Sequence, residues 1–235
     1  MAESGRFRGL SVQALEVPES PRHSFFVRIT HSIYTLSFFG LVLSGLAIIL
    51  AHPRLYWGET GGVGVPSLID LPVPFVRDIP IRGPGRYLHF LSAWVCVITG
   101  VIYVLAGVFT RHFRLNLVPD RAQFAWSSIS HVVRNHLRFQ RPIEKDAESY
   151  NVLQRLAYLA VVFVFLPLMI WTGLAMSPAI VSVFPIVVTV FGGQQSARTV
   201  HFFVAVFLLV FVLVHLVMVG LAGFKVRTRA MIVGS

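Results

Sequence analysis

The stretch Arg198–Lys225 reads RTVHFFVAVFLLVFVLVHLVMVGLAGFK and is the most informative part of this 235-residue chain. Between Val200 and Phe224 it holds only two ionisable side chains, His201 and His215. An apolar run of this length predicts a membrane-spanning helix, which needs about 20 such residues. Ionisable groups inside such a helix are costly to bury, so the two histidines are candidates for a functional site.

The spacing of the two histidines indicates what they could hold. They are fourteen residues apart, which at ~1.5 Å per residue separates the rings by about 21 Å along the helix axis. At ~100° per residue the second ring is rotated by only about −40°, so both point to nearly the same side. One helix therefore offers two neutral nitrogen ligands, as needed for two stacked haems that are each completed by a histidine from another helix.

Composition places the chain among integral membrane proteins. It is 55% hydrophobic and 13% charged, and its mean hydropathy is +0.73. The net charge of +10 comes from Lys and Arg residues in loops between apolar runs, which favours a membrane topology signal over nucleic-acid binding. Cys96 is the single cysteine, so disulfides within the chain, CxxCH haem attachment and cysteine-ligated iron–sulfur clusters are excluded.

Four membrane spans are predicted within a single domain, residues 1–235. They cover about 25–51, 86–110, 152–176 and 196–224. Pro167 predicts a kink in the third span, which is tolerated in membranes. The apolar stretch 179–191 is short and is interrupted by Pro185, so we expect an interfacial or re-entrant segment there and not a fifth span.

The sequence also predicts the structure or location of three segments outside the spans. Residues 1–21 are polar, which predicts a cytoplasmic tail without a cleavable signal peptide. The linker Pro53–Gly85 is rich in Gly and Pro and predicts an ordered outer cap with little regular structure. The basic linker after the second span includes Ala122–Phe139, which predicts an amphipathic surface helix on the membrane lipid.

The distribution of positive charge predicts the orientation of the chain. Fifteen of the twenty Lys and Arg residues fall in the N-terminal segment, the second linker with Arg155, and the C-terminal tail. The other five lie in the first and third linkers and at the span ends beside them. Cytoplasmic loops carry the excess of positive charge, so both termini are expected to be cytoplasmic.

Depth in the bilayer pairs four of the nine histidines. His31 lies in the first span near the cytoplasmic side, and His89 begins the second span on the outer side. His201 shares the outer side with His89, and His215 lies toward the cytoplasm. We therefore predict an outer pair, His89/His201, and an inner pair, His31/His215, as ligands of two metal centres. The other five histidines are in loops or at span rims, where they are expected to contact water or lipid headgroups.

An arginine precedes three of these histidines by three residues. Arg28, Arg86 and Arg198 each begin an R-x-x-H motif, which places the arginine on the ligand's helix face, one turn nearer the water. There it could pair with a haem propionate; the alternative is an interfacial side chain that reaches the headgroups. Small residues such as Gly45 and Gly100 leave room for a flat macrocycle or serve helix packing.

On these residues the chain resembles the bacterial di-haem cytochrome b family. The family includes the cytochrome b subunits of nickel–iron hydrogenase, formate dehydrogenase and thiosulfate reductase-type enzymes, and the resemblance covers about residues 22–226. It implies an all-α integral membrane fold, a bundle of four transmembrane helices holding two stacked b haems, in the bacterial cytoplasmic (inner) membrane. The implied iron ligands are His31, His89, His201 and His215.

The resemblance also implies a quinone and a partner enzyme. The stretch 150–154, YNVLQ, resembles the YNxxQ element of the formate dehydrogenase subunit, so Asn151 and Gln154 are candidates for binding menaquinone or ubiquinone. An ordinary polar helix N-terminus is the alternative. The stretches 52–59 and 173–201 look more like members paired with a periplasmic molybdopterin oxidoreductase. An extracytoplasmic oxidoreductase subunit, of molybdopterin or hydrogenase type, is therefore the expected partner.

The predicted function is an electron-transfer subunit that carries electrons between the membrane quinone pool and that partner. Three alternatives stay open on the sequence. The chain could be a haem-free membrane anchor, a small transporter with histidine proton relays, or a stand-alone b561-like quinol-linked reductase. A haem spectrum would separate the first two from the prediction, and a bound soluble partner would separate the third.

Overall fold

The computed structural model of the chain describes residues 24–62, 64–72, 84–110, 113, 152–221 and 223–234. Within these residues, four helices are long and apolar enough to cross a membrane: Phe25–Ala51, Gly85–Phe109, Leu153–Ala175 and Gln194–Leu221. The predicted all-α fold with four spans is therefore confirmed. The N-terminal segment 1–21 and the predicted surface helix Ala122–Phe139 lie outside the described residues.

The first span is the helix α1, Phe25–Ala51, and the second span is α2, Pro84–Phe109. The second span begins two residues earlier than predicted, because proline is favoured at the first position of a helix, where no backbone N–H is needed. Small residues bring the two spans together. A Cβ at Gly100 would collide with the Tyr34 hydroxyl, so Gly100 serves helix packing, one of the two roles that the sequence left open.

The third span contains a π-helical turn. Its parts are the helix α3, Val152–Ala160, the π turn Val161–Phe165 and the helix α4, Leu166–Ala175. Pro167 lies directly after the π turn. Proline lacks an N–H, and its ring clashes with the carbonyl four residues earlier. A wider turn before the proline moves that carbonyl away from the ring, so the clash is relieved and no hydrogen bond from the missing N–H is needed. The π turn therefore lies just before Pro167, and the kink predicted at this proline stays a prediction.

Two short helices, α5 (Pro178–Val183) and α6 (Ile186–Thr189), connect the third and fourth spans. They are too short to cross a bilayer, in agreement with the prediction that 179–191 is not a fifth span. Val188 packs in a small buried cluster with Ala175 at the end of the third span and Ala197 at the start of the fourth. This cluster joins the end of the third span to the start of the fourth.

The fourth span is α7, Gln194–Leu221, and it ends earlier than predicted. Gly223 has a φ of +100°, a conformation that commonly terminates helices. A further helix, α8 (Phe224–Ile232), follows it, whereas the sequence predicted only a tail. Arg28 on the first span donates to the carbonyl of Ile232 at 2.8 Å and so ties this C-terminal helix to the bundle.

The described part of the first linker forms a folded cap beside the end of the first span and the start of the fourth. Its two short strands, β1 (Arg54–Leu55) and β2 (Ile69–Asp70), pair antiparallel with Arg54 opposite Asp70. Leu55 is completely buried. Apart from this two-residue pairing the described cap residues have little regular structure, as predicted.

Candidate cofactor site

The structure brings the rings of His89 and His201, the predicted outer pair, close together. His89 lies in the first turns of the second span, and His201 lies in the second turn of the fourth. Their ring centres are 6.3 Å apart, and the ring planes meet at 61°. Two helices thus present imidazoles to one space between them.

A hydroxyl on the first span holds the His89 ring. Ser44 Oγ lies 3.0 Å from His89 Nδ1, and the serine is only 2% exposed. The same oxygen lies 2.6 Å from the carbonyl oxygen of Gly40. At the next residue, Gly45, a Cβ would lie 3.7 Å from His89 Cε1, so the ring rests against the backbone of the first span.

A matching hydroxyl on the third span holds the His201 ring. Thr172 Oγ1 lies 2.9 Å from His201 Nδ1, and the threonine is completely buried. Thr172 Oγ1 also lies 2.8 Å from the carbonyl oxygen of Leu168. A Cβ at Gly173 would lie 3.7 Å from His201 Cε1, the same distance as at the other ring.

Sequence reasoning missed Ser44 and Thr172, although a signal for them exists. Residues 44–47 read SGLA and residues 172–175 read TGLA. The two tetrapeptides lie near the C-terminal ends of the first and third spans. Comparison of these two spans with each other would have singled out both hydroxyls.

The donor set and the spacing fit a haem iron held between the two rings. Imidazole nitrogen binds a metal ion at about 2 Å, so two rings on opposite sides of one iron have centres about 6 Å apart. The observed 6.3 Å agrees with this. His89 and His201 would hold the iron, and a haem macrocycle would supply its other ligands. The residues present therefore fit a bis-histidine haem.

Comparison with known proteins agrees with this geometry. A family profile described as prokaryotic cytochrome b561 matches residues 22–234. The chain belongs to this family. It is also 27% identical over 207 residues, 85% of this chain and 90% of the other, to the putative protein-methionine-sulfoxide reductase subunit YedZ1 of Azospira oryzae. No solved structure shows a significant match.

Family membership decides the class of the protein and its cofactor. Members of the cytochrome b561 family bind haem b, and four apolar spans make this chain an integral membrane protein. It is thus a membrane cytochrome b that takes part in electron transport. The resemblance to a bacterial cytochrome b family is confirmed.

The two inner histidines of this cytochrome b lie on the predicted helices. His31 is exposed in the second turn of the first span. The His215 ring on the fourth span contacts the rings of Tyr158 and Phe211, each at a centre distance of 6.2 Å. The pairing of His31 with His215 stays a prediction.

The three predicted arginines occupy different environments. Arg198 donates from its two terminal nitrogens to the carbonyls of His52 and Arg54, and Arg28 holds the C-terminal helix as described above. Arg86 is exposed at the start of the second span. Two of the three therefore fix neighbouring backbone, and their contacts with haem propionates stay a prediction.

The cap of the cytochrome is fastened to the start of the fourth span. Thr199 Oγ1 donates to the Tyr56 carbonyl at 2.6 Å, and the Gly58 N–H donates to Ser196 Oγ at 2.7 Å. The Gly58 carbonyl accepts the backbone N–H of Gln195 at 3.0 Å. The cap thus depends on the helix turn that precedes His201.

The cap carries an ion pair and exposed apolar side chains. Arg54 forms an ion pair with Asp70 at 3.0 Å, and this carboxylate raises the pKa of Arg54. The side chains of Trp57 and Leu68 are 63% and 57% exposed.

Of the two candidate quinone-site residues, only Gln154 lies within the described part of the chain. It is half-buried in the first turn of the third span. Asn151 lies outside the described residues, and the role of both stays a prediction.

Proposed function

We propose that this cytochrome b is the electron-transfer subunit of a membrane oxidoreductase complex. It carries electrons between a membrane quinone, menaquinone or ubiquinone, and an extracytoplasmic oxidoreductase partner. The observation that carries the proposal is the His89/His201 pair, whose ring centres are 6.3 Å apart across a space between two spans. The family profile, prokaryotic cytochrome b561, supports it.

The outer pair would hold one haem b, and His31 with His215 would hold a second. When bound, haem iron exchanges single electrons by changing between its ferric and ferrous states. The protein supplies four imidazole nitrogens and an apolar surrounding that keeps water away from the sites. At the inner site, the Tyr158 and Phe211 rings provide part of that surrounding.

The quinone would bind near the inner pair, at the start of the third span. Gln154 lies on the same span as Tyr158, one turn closer to its N-terminal end, and Tyr158 contacts the inner ligand His215. The side-chain amides of Asn151 and Gln154 can donate to a quinone carbonyl. With both termini in the cytoplasm of a bacterial cell, this site faces the inner side of the cytoplasmic membrane.

The partner would dock on the cap, at the opposite side of the membrane. Trp57 and Leu68 expose apolar surface there, and tryptophan is enriched among residues that dominate binding energy. The similarity to a putative protein-methionine-sulfoxide reductase subunit supports a reductase as the partner. A molybdopterin type and a hydrogenase type are the two classes that the sequence predicts.

Haem counting by the pyridine haemochrome assay tests the proposal. The purified chain should contain two b haems, and His201→Ala should contain one, because the outer iron loses an axial ligand on the fourth span. His136→Ala, in the predicted surface helix between the second and third spans, is the matched control and should keep both haems. One haem or none in the unaltered chain, or two in His201→Ala, would contradict the proposal.

A further inference from the structure

The proton of the Ser44 hydroxyl determines which His89 nitrogen carries a proton. A hydroxyl has a single proton to donate, and a backbone carbonyl can only accept. The Ser44 hydroxyl donates within its own helix, to the carbonyl of Gly40 at 2.6 Å or of Leu41 at 3.2 Å. Toward His89 Nδ1, at 3.0 Å, the serine oxygen is left as an acceptor. His89 therefore carries its proton on Nδ1.

The Thr172 hydroxyl imposes the same state on His201. It donates to the carbonyl of Leu168 at 2.8 Å or of Met169 at 3.0 Å. Its oxygen then accepts from His201 Nδ1, 2.9 Å away. His201 therefore carries its proton on Nδ1 as well.

The hydroxyl–histidine contact occurs twice, which distinguishes it from a hydrogen bond that a serine or threonine makes only within its own helix. Serine and threonine often return a hydrogen bond to their own helix, so that bond alone carries no function. Here the first and third spans each supply a hydroxyl followed by a glycine, SGLA and TGLA. The second and fourth spans each supply an R-x-x-H histidine. Two halves of the chain thus each bring a hydroxyl, a glycine and a histidine to the same site.

We propose that Ser44 and Thr172 are the positioning residues of the outer haem: they fix both histidines with the proton on Nδ1, leave both Nε2 atoms for iron, and lower the haem's reduction potential. This inference rests on the proposed ligand role of His89 and His201. An acceptor at Nδ1–H makes the imidazole a more basic ligand. A more basic ligand stabilises ferric over ferrous iron, and two acceptors act on the one iron.

A redox titration of hydroxyl-free variants tests the inference. Ser44→Ala, Thr172→Val and the double variant are made in the full chain, and haem content is measured beside the potentials. In the double variant the outer haem should keep its stoichiometry, and its oxidised-to-reduced ratio at a fixed potential should fall about tenfold. For a one-electron couple this is an upward shift of ~59 mV. Ser44→Thr and Thr172→Ser keep the hydroxyl and should titrate like the unaltered chain.

A matched control variant and two measurements, haem content and reduction potential, distinguish the possible results. Ser37→Ala removes another buried hydroxyl from the first span, two turns from Ser44, and should change neither potential. Loss of the outer haem in the double variant, with retention in Ser44→Thr and Thr172→Ser, would also support the positioning role. An unchanged outer potential in a double variant with two haems would overturn the inference. The proposed function would still stand if His201→Ala lost one haem, and it would fall if that variant kept two.

Discussion

Replacing Thr199 by valine tests whether the fourth span holds the cap. Valine has nearly the shape of threonine but cannot donate, so the variant removes the 2.6 Å hydrogen bond to the Tyr56 carbonyl. Thr199 is 1% exposed and Tyr56 is 7% exposed. Removing one partner from a buried hydrogen bond costs about 1–3 kcal/mol, a factor of about 5–150 in an equilibrium. The open form of the cap should become more populated by that factor.

Hydrogen exchange of the cap amides measures this population. The Leu68 N–H donates to the Leu55 carbonyl at 2.8 Å, and the Leu71 N–H donates to the Pro53 carbonyl at 3.1 Å. Both bonds lie inside the cap, so their amides should exchange faster in Thr199→Val by the same factor. Thr199→Ser keeps the donor and should exchange like the unaltered chain. Equal exchange rates in Thr199→Val and the unaltered chain would refute the idea that this bond holds the cap.

Four further changes probe the cap and the inner side. Gly193→Ala should detach the cap and lower the yield of folded protein. Gly193 has a φ of +130°, and an added Cβ would collide with the Gly58 backbone. A normal yield with normal exchange of the cap amides would contradict this. His215→Ala should remove the inner haem and leave the outer potential in place, and equal loss of both potentials in the titration would exclude the pairing. Gln154→Ala should slow the reaction with a soluble quinol at least several-fold at unchanged haem content; unchanged stopped-flow rates would dismiss that residue. Trp57→Ala should weaken binding of the partner at unchanged haem content, and an undiminished pull-down from native membranes would show that the partner docks elsewhere.

The spans were predictable because their signal is local. A helix must offer about 20 consecutive apolar residues to the bilayer, and such runs are visible without knowing any contact. The first span was predicted at 25–51 and is observed at Phe25–Ala51. The end of the fourth span was predicted three residues late, because the helix stops where Gly223 adopts a positive φ. Glycine permits that conformation but does not require it.

The outer histidine pair was predictable because depth in a membrane follows from position in the sequence. His89 and His201 begin spans that start on the same side, so they share a level in the bilayer. Their 6.3 Å approach depends on how the second and fourth spans are rotated and packed. That rotation is set by contacts between helices, including small residues such as Gly100 against Tyr34, which a hydropathy pattern does not contain.

By itself the amino-acid sequence determined that the chain crosses the membrane four times and carries histidines at two levels, since apolar length and helix periodicity are properties of single segments. The tertiary structure decided which groups meet those histidines. Ser44 and Thr172 come from spans that hold neither His89 nor His201, and Arg198 was found on the carbonyls of the cap. Hydrogen bonds between helices depend on atoms brought within about 3 Å by packing, and only the assembled bundle fixes such distances.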